Sequence, residues 1–306
     1  MTVAQLIAAQ GFVILDGGLA SELERRGADL SDRLWSARQL MRGPELIRQV
    51  HEDYFAAGAD VAVSASYQAS IAGFKAAGVG PSEARRLIAL SVELAQEARG
   101  RRPHLLVAGS VGPYGAALAD GSEYRGGYKV SRQLLADFHG PRLEALIGAE
   151  PDLLAIETIP SLEEAVLLLE LLREWPQMAC WVSFTCRDAE RVSEGQPVTE
   201  AIAEVAAHPQ VMAAGFNCVP PALGESLLQA AAGVTNKPLV IYPNSGERWD
   251  AAGRRWIPGD GGFDFAAAAG RWHGLGARLI GGCCRTTPDT IRAIRNSLVT
   301  VTTSWR

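Results

Sequence analysis

Short apolar runs, each followed by a stretch with helical spacing, recur eight times along the chain: FVILDGG (12–18), ADVAVSAS (59–66), HLLVAGSVG (104–112), PDLLAIETIP (151–160), MACWVSFTC (178–186), VMAAGFNC (211–218), KPLVIYPN (237–244) and ARLIGGCC (277–284). Their apolar character is continuous rather than alternating, so both faces of each run must be buried, as in a parallel sheet covered by helices. The intervening segments supply the crossovers. Helices are expected near 44–57, 82–99, 131–147, 199–207, 221–232 and 263–274. Ser161 with Glu164 reads as a capping box ahead of VLLLELL, and Thr287 precedes a proline at a first-turn position, Pro288. Eight strand–helix units in 306 residues predict a closed (β/α)₈ TIM barrel, an α/β fold. No Pro/Ser-rich linker divides the chain, so one domain covering 1–306 is expected. An open doubly wound sheet is the competing arrangement, but its first turn wants G-x-G-x-x-G, which DGGLASE does not supply. The longest irregular stretches, 112–130 and 244–262, follow the third and seventh strands and are candidate active-site loops.

With 48% apolar residues the chain can bury a substantial core, which excludes a disordered polypeptide. The formal charge of −5 is mild and the basic residues are scattered, leaving no electrostatic footprint for nucleic acid or an anionic membrane. The first fifteen residues are uncharged, yet they lack the basic start of an export signal and are interrupted by Gln5 and Gln10. They read as a short helix leading into a strand. No apolar run reaches the roughly 18 residues that a membrane-spanning helix needs. A soluble, cytoplasmic protein is expected. Five cysteines, an odd number without an export signal, argue against a disulfide framework and leave core, redox or metal roles open.

In this architecture catalytic groups sit where strands run into loops. Asp16 ends the first strand, Ser64 the second, Glu157 the fourth, Cys218 the sixth, and Cys283 with Cys284 the eighth. The first and eighth strands are neighbours in a closed barrel, so these distant residues meet at one mouth. Three thiolates and an open position suit Zn²⁺, which favours sulfur and tetrahedral geometry. The spacing is not a zinc-finger signature, and packing of small cysteines against glycine-rich strand ends is the alternative. Cys180 and Cys186, in and after the fifth strand, are expected to be core packing. Asp16 and Glu157 offer a general acid and base, or a seat for an ammonium group. Alternatively, Asp16 caps the helix starting near Leu19 and Glu157 pairs with an arginine. Gly17 and Gly18 expose backbone N–H groups where a carboxylate can sit. An ammonium seat, a carboxylate seat and a metal for sulfur together describe a thiol amino acid.

The motifs DGGLASELERRG, SASYQAS, GSEYRGGY, ETIPSLEEA, GFNC, YPNSGE and GGCCRTTPDTI, in this order and spanning nearly the whole chain, resemble the zinc-dependent homocysteine S-methyltransferases. The pair GFNC and GGCC carries the resemblance; the closest likeness is to the bacterial and plant enzymes that use S-methylmethionine. The resemblance implies zinc on Cys218, Cys283 and Cys284. It implies the homocysteine ammonium on Asp16 and Glu157, and its carboxylate on Gly17, Gly18 and Ser64. Two departures stand out. Family members commonly show Asn–Thr where this chain has Ser64-Ala65-Ser66, and the betaine-using enzymes have a tyrosine where it has Thr158. The latter speaks against betaine as donor. The chain also ends soon after its last helix, without the extension through which the betaine enzymes oligomerise, so a monomer is expected.

The implied reaction moves a methyl group from a sulfonium donor, S-methylmethionine or S-adenosylmethionine, to the zinc-bound thiolate of homocysteine, giving methionine. S-methylmethionine is the expected donor because no G-x-G nucleotide loop is present. A free thiol is mostly protonated at neutral pH, whereas binding to zinc deprotonates it. A sulfonium pocket wants aromatic faces or a carboxylate. Tyr67, Glu123, Tyr128, Tyr242, Glu247 and Trp249 lie on the loops that could build one. Three rivals stay open: a metal-free barrel lyase with Glu157 as base, a non-catalytic thiol or zinc binder, and a methyltransferase acting on another thiol or a selenol.

Overall fold

The computed structural model describes residues 1–31, 34–250, 255–257 and 262–303. Eight parallel strands form the barrel: β1 (Val13–Ile14), β2 (Val61–Val63), β3 (Leu106–Val111), β4 (Leu153–Ile159), β5 (Cys180–Phe184), β6 (Val211–Asn217), β7 (Leu239–Tyr242) and, after an antiparallel pair β8 (Arg248–Asp250) and β9 (Arg255–Ile257), the last barrel strand β10 (Ala277–Ile280). Neighbouring strands pair in sequence order from β2 to β7, then β10, then β1. Closure comes from a parallel bridge between Leu15 and Val61, with Asp16 N–H donating to Val61 O at 3.1 Å and Asp60 N–H to Ile14 O at 2.7 Å. The first and last barrel strands are neighbours, paired through Val13 and Leu279. The β8–β9 pair lies in the stretch 244–262, expected as an irregular loop because it lacks a continuous apolar run.

The six expected helices form, at Pro44–Ala57, Pro81–Arg99, Arg132–Gly148, Val198–Ala207, Gly224–Ala232 and Phe265–Gly274. Pro288 opens the helix Pro288–Thr303, where its missing N–H costs nothing. The Ser161 capping box is only half made. Ser161 Oγ accepts from Glu164 N–H at 3.1 Å, but the Glu164 carboxylate turns to Tyr114, Tyr128 and His139 instead of returning to the cap. A complete box forms at the short first helix, between Thr2 and Gln5. Among the described residues, no helix is long and apolar enough to cross a membrane.

The core has two layers. Leu106, Leu153, Ala155, Trp181, Ala213, Val240 and Leu279 fill the barrel, and a larger cluster packs the outer strand faces against the helices. The two-residue period of a strand turns this packing into a site. Leu153 and Ala155 point inward, so Glu157 on the same face of β4 emerges at the barrel mouth. Leu279 likewise sets the face on which Cys283 arrives.

Candidate active site and metal centre

Cys218, Cys283 and Cys284 meet at the strand ends: their sulfurs all lie within 4.8 Å of one another. Cys218 has the outward parity of Phe216 and turns in because the chain leaves the strand there with φ +50°. Cys284 Sγ is 3.8 Å from Cys218 Sγ, and the Cys218 and Cys283 sulfurs are in disulfide contact with Cα atoms 5.6 Å apart. This one contact joins two members of a single cluster, and Cys180, Cys186 and Cys284 are free. Three sulfurs this close can bond to one another or share a soft cation, and the same backbone serves both.

That backbone is held from both sides. Cys218, with φ +50°, donates its N–H to Tyr242 O at 3.2 Å, while Cys283 N–H donates to Pro243 O at 2.8 Å. Asn244 bridges the cluster: its Oδ1 accepts from Cys284 N–H at 3.1 Å, and its Nδ2 donates to Cys218 O at 3.3 Å. Thr286 ties the turn after the cysteines to the DGG turn, since its hydroxyl donates to Cys283 O at 2.7 Å and accepts from Gly18 N–H at 3.3 Å. The approach is close enough to demand glycine: a Cβ on Gly18 would lie 2.7 Å from Cys283 O.

The cysteines open onto a cavity of about 550 Å³. Its described lining holds the carboxylates of Asp16, Glu24, Asp29, Asp120, Glu123 and Glu157, and no lysine, arginine or histidine. Such a lining favours cations. Asp16 is buried and accepts from Val63 N–H at 2.8 Å; burial, with Glu157 nearby, holds its pKa well above the usual carboxylate range. It does not cap the following helix, whose cap is Gly18. Glu157 accepts from Ser110 Oγ at 2.5 Å and from Tyr242 OH at 3.0 Å. Burial pushes its pKa up to about 7, against the lowering effect of both hydroxyls. Neither carboxylate has an arginine partner among the described residues. Burial likewise pushes the Cys284 thiol up to about 12, although a hydrogen bond from Tyr124 favours the thiolate.

The other singled-out residues fall into two groups. Tyr67 and Glu123 line the cavity, and Glu123 Oε2 is buried without a hydrogen-bond partner. Tyr242 forms the floor: Trp181 Nε1 donates to its hydroxyl at 3.0 Å, and that hydroxyl reaches Glu157. Tyr128 is absent from the lining because its hydroxyl donates to Glu164 Oε2 at 3.2 Å. Glu247 is turned away by its ion pair with Arg285 at 2.8 Å. The side chain of Trp249 lies outside the described residues. Ser64 lines the cavity, but Ser66 Oγ spends its proton on Ser110 O at 2.8 Å and therefore receives that of Ser64, 2.8 Å away. Cys180 is fully buried, its thiol pushed up to about 12, and Cys186 is also buried, as core packing requires.

Tyr124, Asn217 and Asn244 were not singled out in the sequence. Asn217 is wholly buried and Thr158 beside it has φ +58°, a costly conformation for a β-branched residue. GFNC and YPN mark both asparagines as strand-end polar residues, the available signal. Tyr124 had one too, on the loop with Glu123.

A parallel (β/α)₈ barrel with three converging cysteines and an acid-lined cavity at its mouth has the form of a barrel enzyme whose three sulfurs could hold a metal ion. The homocysteine S-methyltransferase family model matches residues 13–298. Homocysteine S-methyltransferase YbgG of Bacillus subtilis is 49% identical over 292 residues, covering 92% of this chain and 93% of its own. The homocysteine S-methyltransferase of Escherichia coli is 50% identical over 298 residues, covering 95% and 96%. The crystal structure of the E. coli homocysteine methyltransferase MmuM in its metallated form superposes with a TM-score of 0.87 at 47% identity, covering 96% of this chain and 99% of that one. Its oxidized form gives the same TM-score, 0.87, at 48% identity, covering 96% and 98%. The chain belongs to the homocysteine S-methyltransferase family, and is thereby a methyltransferase.

Proposed function

We propose that this enzyme transfers a methyl group from a sulfonium donor, S-methylmethionine in preference to S-adenosylmethionine, to the sulfur of homocysteine, with Zn²⁺ held by Cys218, Cys283 and Cys284. The observation that carries the reading is the convergence of three sulfurs, within 4.8 Å, on a cavity lined by acids alone among its charged described residues. Three soft donors fit zinc, and each sulfur's backbone is fixed by hydrogen bonds that no metal need supply. When bound, the ion supplies a positive charge that holds a thiol in its deprotonated form at neutral pH.

The remaining work belongs to the chain. Asp16 and Glu157, buried without a basic partner among the described residues, receive the homocysteine ammonium; its arrival returns both carboxylates to the charged state that burial disfavours. The backbone N–H of Gly17 takes the substrate carboxylate, beside Gly18, whose own N–H is held by Thr286 Oγ1 at 3.3 Å, and Ser64. Glu123, Tyr67 and Tyr124 form the opposite wall, where the sulfonium sits. There the unpartnered Glu123 oxygen meets the cation. The forming S–C bond and the breaking C–S bond leave two neutral thioethers, and the thiol proton passes to solvent. Charge is lost in the transition state, so excluding water and aligning the two sulfurs accelerates the step. No general base is needed.

Methionine formation from homocysteine is measured with each donor at matched concentration, with and without a chelator. Faster turnover with S-methylmethionine, abolished by chelation, is expected. Faster turnover with the adenosyl donor overturns the donor assignment, and chelator-resistant turnover overturns the metal.

A further inference from the structure

The buried ionisable groups of the mouth do not all face the cavity. His139 and Arg142, on the helix Arg132–Gly148, and Glu164, near the start of the helix Leu162–Leu172, are 0%, 1% and 0% exposed. They lie behind the two loops that carry the proposed donor wall. Arg142 Nη2 donates to Ser66 O at 3.3 Å and Tyr67 O at 3.0 Å, so it grips the carbonyls on both sides of Tyr67; its Nη1 donates to Gly112 O at 2.9 Å. Glu164 holds the neighbouring loop, 112–130, at both ends. Its Oε1 accepts from Tyr114 N–H at 2.6 Å and its Oε2 from Tyr128 OH at 3.2 Å. His139 Nε2 completes the link, 2.9 Å from Glu164 Oε1. Glu123 and Tyr124 lie between the two held ends. The loops are pressed together: a Cβ on Gly112 would lie 2.4 Å from Tyr67 O, and Gln68 Nε2 donates to Ala116 O at 2.9 Å.

Burying three ionisable groups together is expensive, and nonpolar side chains would pack the space at lower cost. The directional bonds they provide all end on the two loops of the donor wall, while Asp16, the cysteines and Asn217 are held by other residues. We propose that Arg142, His139 and Glu164 are positioning residues that hold the wall containing Tyr67, Glu123 and Tyr124 at the distance a sulfonium donor requires, so that they govern donor affinity and leave homocysteine affinity largely untouched. This inference rests on the functional reading above.

Two variants test it: Tyr128→Phe, which removes one hydroxyl from the Glu164 link, and Arg142→Lys, which keeps the charge but loses the fork that spans three carbonyls. Steady-state KM for S-methylmethionine and for homocysteine is measured alongside zinc content, and hydrogen exchange along the whole chain is followed in the absence of both substrates. In Tyr128→Phe, donor KM should rise about fivefold to tenfold with homocysteine KM and zinc content within about twofold, because one hydrogen bond to a charged acceptor is lost. Arg142→Lys should give a larger donor-specific rise, with faster exchange confined to 64–70 and 112–130. Equal rises in both KM values, or faster exchange with an unchanged donor KM, would overturn the proposal in favour of plain structural support. Absence of methyl transfer in the unsubstituted enzyme would instead overturn the functional reading, while the exchange result still reports on whether Arg142 and Glu164 hold the two loops.

Discussion

Asn217 grips Thr158 twice: its Oδ1 accepts from Thr158 N–H at 2.7 Å, and its Nδ2 donates to Thr158 Oγ1 at 2.7 Å. The pair holds a β-branched residue at φ +58° directly after Glu157, and so fixes how that carboxylate leaves the strand. Asn217 Nδ2 also points toward Cys283 Sγ, 4.0 Å away, joining the ammonium seat to the sulfur cluster. Asn217→Ala leaves the Thr158 N–H buried and unpaired and frees the strained backbone. A stability loss of about 2–4 kcal/mol is expected in denaturant titration, with a raised homocysteine KM. A loss below about 1 kcal/mol with unchanged KM would mean that the grip is not needed.

Glu157 gives a pH signature. Its pKa rises from 4.5 to about 7 in the folded protein, so between these values the native state binds more protons than the unfolded state. Stability without substrate must therefore fall as pH rises from about 4.5 to 7, and Glu157→Gln should flatten the fall. Tyr242→Phe removes a hydrogen bond that favours the charged carboxylate and should move the titration upward. Homocysteine binding near pH 6 should release protons, read by calorimetry in buffers of different ionisation enthalpy. Proton uptake would contradict an ammonium seat.

Much of the barrel was legible because its strands are buried on both faces and their apolar runs are unbroken. The cysteine cluster was legible too, since the strand ends share one mouth and a single strand, β7, separates the end of β6 that carries Cys218 from the end of β10 that carries Cys283 and Cys284. What escaped was long-range pairing. Nothing local to Glu164 reveals that its carboxylate leaves its own cap for a loop 50 residues earlier, or that Tyr128 and Glu247 turn to Glu164 and Arg285. Ser64 shows the same limit: its hydroxyl was visible, but not the neighbour that consumes its proton.

Glu123→Gln should raise the KM for the sulfonium donor about tenfold or more, with a small effect on homocysteine KM. A charged, partly desolvated partner is lost while shape is retained. Initial rates with each substrate varied in turn separate the two constants. Unchanged donor KM would remove Glu123 from the donor wall.

The five cysteines divide by position. Cys218→Ser, Cys283→Ser and Cys284→Ser should each lose most of the bound zinc, whereas Cys180→Ala and Cys186→Ala should keep it and lose only modest stability, on the order of 1 kcal/mol. Elemental analysis of the purified variants gives the stoichiometry. Zinc retained in all three cluster variants would contradict the assignment.

X-ray absorption at the zinc edge, recorded before and after addition of homocysteine, tests the central claim most directly. One zinc per chain with three sulfur neighbours, rising to four when homocysteine binds, is the expected result. A zinc-free enzyme that still forms methionine, or a sulfur count unchanged by homocysteine, would contradict it.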